Sequence, residues 1–217
     1  MSAMSTYARA ERERLADLLA AAGPDAGTLC AGWSTRDLAA HLVVRERRMD
    51  AAAGIRVKPL AGWTERVQGR YAARPYEELL RAFRSGPPAL SPFALPGADE
   101  AANLVEYFVH AEDVRRAKAD WSGAPADLEP GLVEALWKRL PMVARFGSEA
   151  RPPLRLELAR PEGAVVTVAH RTAPTVRVTG RPGELVLFAY GRGARTEVVA
   201  EGAPEAVAAL AEVLPLP

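Results

Sequence analysis

The sequence predicts an α plus α/β protein with two domains, a helical domain followed by a small α+β domain. Apolar residues recur at helical spacing through the first two thirds of the chain, whereas short β-branched runs separated by turn residues follow from residue 154 onward. A chain of 217 residues with 49% hydrophobic content can bury a core in each part. We place the boundary at residue 148, so the predicted domains are 1–148 and 149–217.

The helices of the first domain are predicted from apolar spacing and from capping residues. The first helix spans Tyr7–Ala22 and stops at Gly23. Ser34 and Asp37 form a capping-box start for the second helix, which we expect to reach Ala53. Later helices are predicted over residues 63–72, 75–84, 98–119 and 129–146. The break at residues 85–97 contains four prolines, and we expect it to be functional or to cover a cleft.

The second domain is predicted to combine short strands with two helices. Strands are expected over residues 154–158, 164–169, 176–178 and 195–200, where alternating or β-branched residues lie between turns. The apolar stretch Leu185–Tyr190 is interpreted as a buried helix, although periodicity alone leaves a strand open. A last helix is expected over residues 204–213.

Composition limits the classes of partner. The 28 basic and 27 acidic side chains leave no excess positive charge for a nucleic acid or an anionic membrane. No apolar run is long enough to span a membrane and no signal peptide is evident, so we expect a cytoplasmic protein that binds a small molecule. The single cysteine, Cys30, excludes an internal disulfide; it is either a small buried residue or a reactive thiol.

Two of the three histidines fall on predicted apolar helices, which raises the question of a metal site. His41 lies in the second helix, while Glu106 precedes His110 by four residues in the long later helix. An acid and a histidine at this spacing share a helical face, although such pairs often form only a surface hydrogen bond. Apolar neighbours of all three residues favour a partner for their polar groups. Two imidazoles and one carboxylate are a three-ligand set typical of zinc or a similar divalent ion.

Other polar residues have weaker interpretations. Asp37 and Asp113 lie about one turn from the two histidines, and each either orients an imidazole or is solvated at the surface. Arg192 can hold a substrate carboxylate or be solvated, and His170 is interpreted as structural or exposed. No phosphate-binding loop, dinucleotide fingerprint or Gly-x-Ser-x-Gly elbow is present, so neither a nucleotide cofactor nor a serine hydrolase is predicted.

Three motifs follow one another along the chain. They are Cys30-x-Gly32-Trp33-x3-Asp37-x3-His41, then Asn103-x2-Glu106-x3-His110-x2-Asp113, and finally Val178-Thr-Gly180 with Glu184-Leu-x-Leu-Phe-x-Tyr-Gly191-Arg192. Together and in this order they resemble the mycothiol-dependent maleylpyruvate isomerase family. The resemblance implies a DinB-like four-helix bundle followed by a sterol-carrier-like domain. It also implies metal ligation by His41, Glu106 and His110, and an active-site role for Arg192. The chain is similar to a metal-binding subgroup of this family whose substrates are unknown.

The leading functional hypothesis is a transferase or isomerase that uses a divalent ion, most simply zinc, and a low-molecular-weight thiol such as mycothiol as co-substrate. The ion would lower the pKa of the thiol, which would attack a small electrophilic substrate. A non-enzymatic metal-binding or small-ligand-binding module is the first alternative. A metal-dependent hydrolase with Glu46 or Asp113 as base is the second. The chain is expected to act as a monomer or a homodimer.

Overall fold

The computed structural model describes residues 7–52, 54, 57–89, 91, 98–123, 127–147, 154–168 and 174–217. Two compact units are distinguished, residues 1–120 and 121–217. The first contains helices and the second combines helices with a sheet, which agrees with the predicted helical region followed by a small α+β region. Among the residues that the structure describes, no helix has both the length and the apolar character needed to cross a membrane.

The first unit contains six helices in its described ranges. These are α1 (Tyr7–Ala22), α2 (Thr35–Arg47), α3 (Met49–Ala52), α4 (Ala61–Ala72), α5 (Tyr76–Arg84) and α6 (Ala98–Arg116). α1 packs along α6, and α2 packs against α4 and α5. Buried apolar residues such as Leu15, Leu42, Phe83 and Phe108 fill the space between these helices. This core holds α2 and α6 in place, and the candidate site residues project from these two helices.

The second helix is shorter than predicted. α2 ends at Arg47, because Arg48 leaves the helical conformation with φ −127° and ψ 72°, and the chain then starts the short α3. α3 turns toward α4: Thr64 donates a hydrogen bond to the Ala51 carbonyl, and Ala51 packs with Val44 and Val67. This packing, rather than a helix-breaking residue, sets the end of α2. The predicted continuation to Ala53 was therefore wrong.

The second unit is a mixed sheet flanked by helices. It comprises α7 (Pro130–Phe146), β1 (Arg155–Ala159), β2 (Val165–Val168), β3 (Thr175–Thr179), α8 (Pro182–Leu187), β4 (Val199–Gly202) and α9 (Pro204–Val213). The strand order is β2-β1-β3-β4, with β1 and β3 parallel and the other pairs antiparallel. α7 packs on α8 and β2, and α9 packs on β3 and β4. Leu158 and Val178 are register partners on the buried face of the central strand pair.

Two predictions for this unit have clear outcomes. The stretch after Pro182 is helical, as predicted: α8 continues into a π-helical turn over Phe188–Arg192. The last strand begins later than predicted, at Val199 instead of Arg195. Residues Gly193–Arg195 form a 3-10 turn instead, and the Thr196 hydroxyl donates to the Gly193 carbonyl at 2.7 Å. This side-chain bond holds the chain in the turn.

The domain boundary at residue 148 stays a prediction. Spatial grouping assigns α7 to the unit with the sheet, whereas the predicted boundary assigns it to the helical domain. His170 lies outside the described residues. Most of the proline-rich break after residue 85 does too, so its suggested role as a cover stays a prediction.

Candidate metal centre

One face of α6 carries the polar residues of the site. Asn103, Glu106, His110 and Asp113 follow each other at spacings of three, four and three residues, which places them along one side of a helix. The Nε2 atom of His110 lies 3.4 Å from Oε2 of Glu106, and its Nδ1 atom lies 3.0 Å from Oδ2 of Asp113. Both ring nitrogens therefore face a carboxylate, and Nε2 is the nitrogen on the Glu106 side.

His41 approaches this face from α2. The start of α2 is set by the predicted capping box, in which the Ser34 hydroxyl and the Asp37 carboxylate satisfy backbone N–H groups of the first turn. The His41 ring lies 5.6 Å from the His110 ring, edge to face, and only 7% of His41 is exposed. Ligand atoms of His41, Glu106 and His110 all lie within 4.8 Å of one another. The structure thus brings together the three residues predicted from the sequence.

The two imidazoles differ in basicity because their partners differ. Burial, with a smaller contribution from the neighbouring His110, lowers the pKa of His41 to about 3. Burial alone would lower the pKa of His110 as well, but hydrogen bonds with Asp113, Cys30 and Glu106 raise it well above 6.5. Burial raises the pKa of Glu106, yet the His110 hydrogen bond and the Arg45 charge outweigh burial and bring the pKa down to about 2. Near neutral pH the site therefore holds an ionised carboxylate and a neutral His41.

A loop before α2 supplies two side chains that the sequence prediction did not assign to the site. The Leu29 N–H donates to the Asp113 carbonyl at 3.1 Å, and Gly32 adopts a positive φ of 76° that suits glycine. The Trp33 ring lies 5.0 Å from the His41 ring, and the Cys30 thiol donates to Oδ2 of Asp113 at 3.2 Å. The motif that joins Cys30, Gly32 and Trp33 is the sequence signal for this arrangement.

Cys30 takes part in a second set of potential ligands. Cys30, His110 and Asp113 also offer atoms within 4.8 Å of one another, with Sγ of Cys30 at 3.9 Å from Nδ1 of His110. The cysteine is partly exposed and touches a polar cluster, so its interpretation as a small buried apolar residue was wrong. The two sets use opposite nitrogens of the His110 ring, since Nε2 faces Glu106 and Nδ1 faces Asp113.

The remaining predicted residues differ in whether they reach the site. Asp37 caps α2, whereas Asp113 contacts His110, so only Asp113 is a partner of an imidazole. Asp113 is also fully buried instead of solvated. Glu46 is also buried, accepting from the Tyr107 hydroxyl at 2.5 Å. Arg192 belongs to the second unit, where its Nη1 atom donates to the Tyr190 carbonyl at 2.8 Å.

Comparison with known families identifies the family of this chain. The family model described as Mycothiol maleylpyruvate isomerase N-terminal domain matches residues 8–147, well over half of the chain. The chain belongs to this family. The match covers the loop with Cys30 and both helices that carry the three convergent ligands, and it ends before the sheet of the second unit. No curated protein and no solved structure gives a significant match to the chain.

The residues present fit a divalent ion in this family member. Two imidazoles and one carboxylate meet the ligand preferences of zinc and related ions, and three protein ligands leave a position open. Asp113 lies at Nδ1 of His110, the position of the second partner that a metal-binding histidine usually has, and accepting a hydrogen bond from Nδ1 would leave Nε2 available as a metal ligand. The sequence prediction missed Arg45, which pairs with Glu106, and Gln68, which forms a hydrogen bond with His41. Of these two, only Arg45 could have been found from spacing, because it follows His41 by one helical turn.

Proposed function

We propose that this protein binds one divalent metal ion, most simply zinc, through His41, Glu106 and His110, and that it catalyses a transfer or isomerisation that depends on a low-molecular-weight thiol. The observation that carries the proposal is the convergence of ligand atoms from two helices within 4.8 Å of one another. Membership of the mycothiol-related family supports the thiol as co-substrate.

The side chains have separate tasks in this proposal. His41 is buried and its pKa is lowered to about 3, so it offers a neutral nitrogen at any physiological pH. Glu106 supplies the one negative charge of the ligand set, and Asp113 holds the His110 ring by its Nδ1 atom. An ion bound there lowers the pKa of a thiol that reaches its open position. Trp33 lies against His41 and shields that ring from solvent.

Several finer assignments belong to the same proposal. The helices of the first unit would form a DinB-like four-helix bundle, and the sheet of the second a sterol-carrier-like domain. Arg192 would bind a carboxylate of the substrate. The partners would be a small electrophile and mycothiol, with no nucleic acid or membrane, in a cytoplasmic monomer or homodimer.

Metal content tests the ligand assignment. Protein purified without a histidine tag should contain about one equivalent of zinc or a related ion, whereas His41→Ala and His110→Ala should each lose most of it. His170→Ala is the matched control, because it also removes one histidine but leaves the proposed ligands intact. Equal metal content in wild type and His41→Ala would contradict the assignment.

Turnover tests the reaction class. Zinc-loaded protein is mixed with mycothiol and a panel of small electrophiles, and consumption of thiol or isomerisation of the electrophile is followed. We expect activity that disappears with a chelator and returns with zinc. Metal binding without any thiol binding would instead support the non-enzymatic binding module.

A further inference from the structure

Arg45 lies beside the proposed metal ligands. It follows His41 by four residues on α2, so the two side chains share a helical face. Its Nη2 atom lies 3.8 Å from Oε1 of Glu106, and its Nη1 atom donates a hydrogen bond to Oδ1 of Asn103. Asn103 is itself fully buried one turn before Glu106 on α6. The guanidinium of this α2 residue is therefore held at the edge of the site by two residues of α6.

The Arg45 guanidinium is an unusual neighbour for a site that binds a metal cation. A positive charge near a metal ion weakens metal binding, and the low dielectric of a buried site strengthens the effect. With a divalent ion bound, the formal charges of the ion, Glu106, Asp113 and Arg45 sum to one positive charge when both imidazoles are neutral. A site with this balance favours an anionic ligand at its open position.

The geometry distinguishes Arg45 from a simple clamp on Glu106. A separation of 3.8 Å between Nη2 of Arg45 and Oε1 of Glu106 is an ion pair, while the hydrogen bond from Nη1 to Asn103 anchors the guanidinium at the site. A metal ion bound to Glu106 would share the charge of this carboxylate and weaken the pair further. The planar guanidinium matches a carboxylate in two parallel hydrogen bonds, which an ammonium group cannot reproduce. The side chain retains 14% exposure, so a small ligand at the site can reach it.

We propose that Arg45 is a substrate-binding residue that selects small ligands with a carboxylate one or two carbon atoms from the group that meets the metal ion. This inference rests on the proposed metal site and deepens it. It assigns recognition of the anion to the helical unit that also holds the ion. Arg192, the carboxylate-binding residue expected from the family resemblance, would then not be required for this recognition.

Two thiol probes on the cobalt-loaded full chain test the proposal. Mercaptoacetate and 2-mercaptoethanol both offer a thiol, but only mercaptoacetate has a carboxylate next to it. Each is titrated while the visible absorption of cobalt reports ligand binding, which gives two dissociation constants for each protein. We expect wild type to prefer mercaptoacetate by about tenfold or more, and Arg45→Gln to lose most of this preference because a charge-assisted contact disappears. Arg45→Lys should retain part of it.

Controls separate this inference from the proposed function. Arg48→Gln removes the same charge from a partly exposed position at the end of α2 and should not change the preference. Loss of the preference in Arg192→Gln but not in Arg45→Gln would assign the carboxylate to the second unit and overturn the role of Arg45. Three further results would overturn the role of Arg45 alone. They are an unchanged ratio of the two dissociation constants in Arg45→Gln, an equal loss of affinity for both thiols in that variant, and no response to mercaptoacetate in cobalt-loaded wild type. Cobalt binding that persists in His41→Ala would instead overturn the metal site, and the inference with it.

Discussion

Two buried polar clusters on α6 lie only two residues apart but have different charge balances. Glu112 accepts hydrogen bonds from three arginines: Arg115 and Arg116 at 2.6 and 2.7 Å, and Arg14 of α1. His110 instead faces two carboxylates and a second imidazole. A separation of two residues places these side chains on nearly opposite sides of a helix. One side of α6 therefore carries fixed ion pairs, and the other carries converging metal-ligand atoms.

The difference explains what each cluster is suited to do. The arginines around Glu112 are permanently charged, so this cluster is complete without any added ion and contributes to the stability of the fold. His41 and His110 offer ring nitrogens close to Glu106, and both imidazoles are buried. Burial lowers the pKa of His110, but hydrogen bonds with the neighbouring carboxylates outweigh burial and raise it, and a bound metal ion would replace the proton that His110 then holds. The first cluster should thus govern folding, and the second should govern metal binding.

The largest effect is expected from Glu112→Gln. This change removes a charged partner of Arg116, which is 1% exposed, and breaking a buried pair costs about 3–5 kcal/mol of unfolding free energy. Urea denaturation measures the loss, while the cobalt stoichiometry of the folded variant should stay at wild type. Glu13→Gln is the control, because this half-exposed carboxylate pairs with Arg84 at the surface. A variant of normal stability that has lost its metal would reverse the assigned roles of the two clusters.

Acid should also remove the contribution of the Glu112 ion pairs to the free energy of unfolding. Burial raises the pKa of Glu112, but the hydrogen bond from Arg115 and the charges of Arg116 and Arg14 bring it from 4.5 down to about 2. Because the folded pKa is lower than the unfolded one, the stabilisation is complete above pH 4.5 and is lost as the pH falls toward 2. The stability gap between wild type and Glu112→Gln should therefore shrink across this range by about 3 kcal/mol. A constant gap would contradict the ion-pair interpretation.

The sequence predicts helix ends well where local residues determine them. Gly23 ends α1 and Pro204 begins α9, as expected from glycine and proline chemistry. The end of α2 was not predictable in this way, since the residues around Arg48 are good helix formers and the contact of Ala51 with Thr64 is tertiary. The start of β4 was misplaced for a related reason: Thr196 bonds back to the preceding turn.

The same distinction applies to the candidate site. Helical spacing predicts that Glu106 and His110 share a face, and apolar flanks bring His41 to the same core. Spacing cannot decide between Asp37 and Asp113 as partner of an imidazole, because both lie about one turn from a histidine. Burial and packing select Asp113, and both depend on where the loop with Cys30 contacts α6.

A smaller effect on metal binding is expected from Asp113→Asn. The amide cannot stabilise the His110 ring as the carboxylate does, and the loss of such a partner typically weakens metal affinity about 10–100-fold. Competition with a chromophoric zinc chelator measures the change. Asp37→Asn is the matched control, because the asparagine oxygen can still accept the hydrogen bond from the Ser34 N–H and Asp37 contacts Ser34 instead of a histidine. Equal affinities for wild type and Asp113→Asn would show that His110 needs no carboxylate behind it.

The smallest effect is expected from Cys30→Ala, and it separates the two ligand sets. If the ion binds between His41, Glu106 and His110, the cysteine contacts Asp113 and the Nδ1 side of His110 without being a ligand, and its loss should change zinc affinity by less than about threefold. If the ion binds instead to Cys30, Asp113 and the Nδ1 atom of His110, the thiolate is a direct ligand and its loss should abolish binding. Cobalt-loaded wild type gives a second measurement, because a cysteine ligand adds a strong sulfur-to-cobalt absorption band. Such a band in the absence of added thiol, and its loss in Cys30→Ala, would place the ion on the other side of His110.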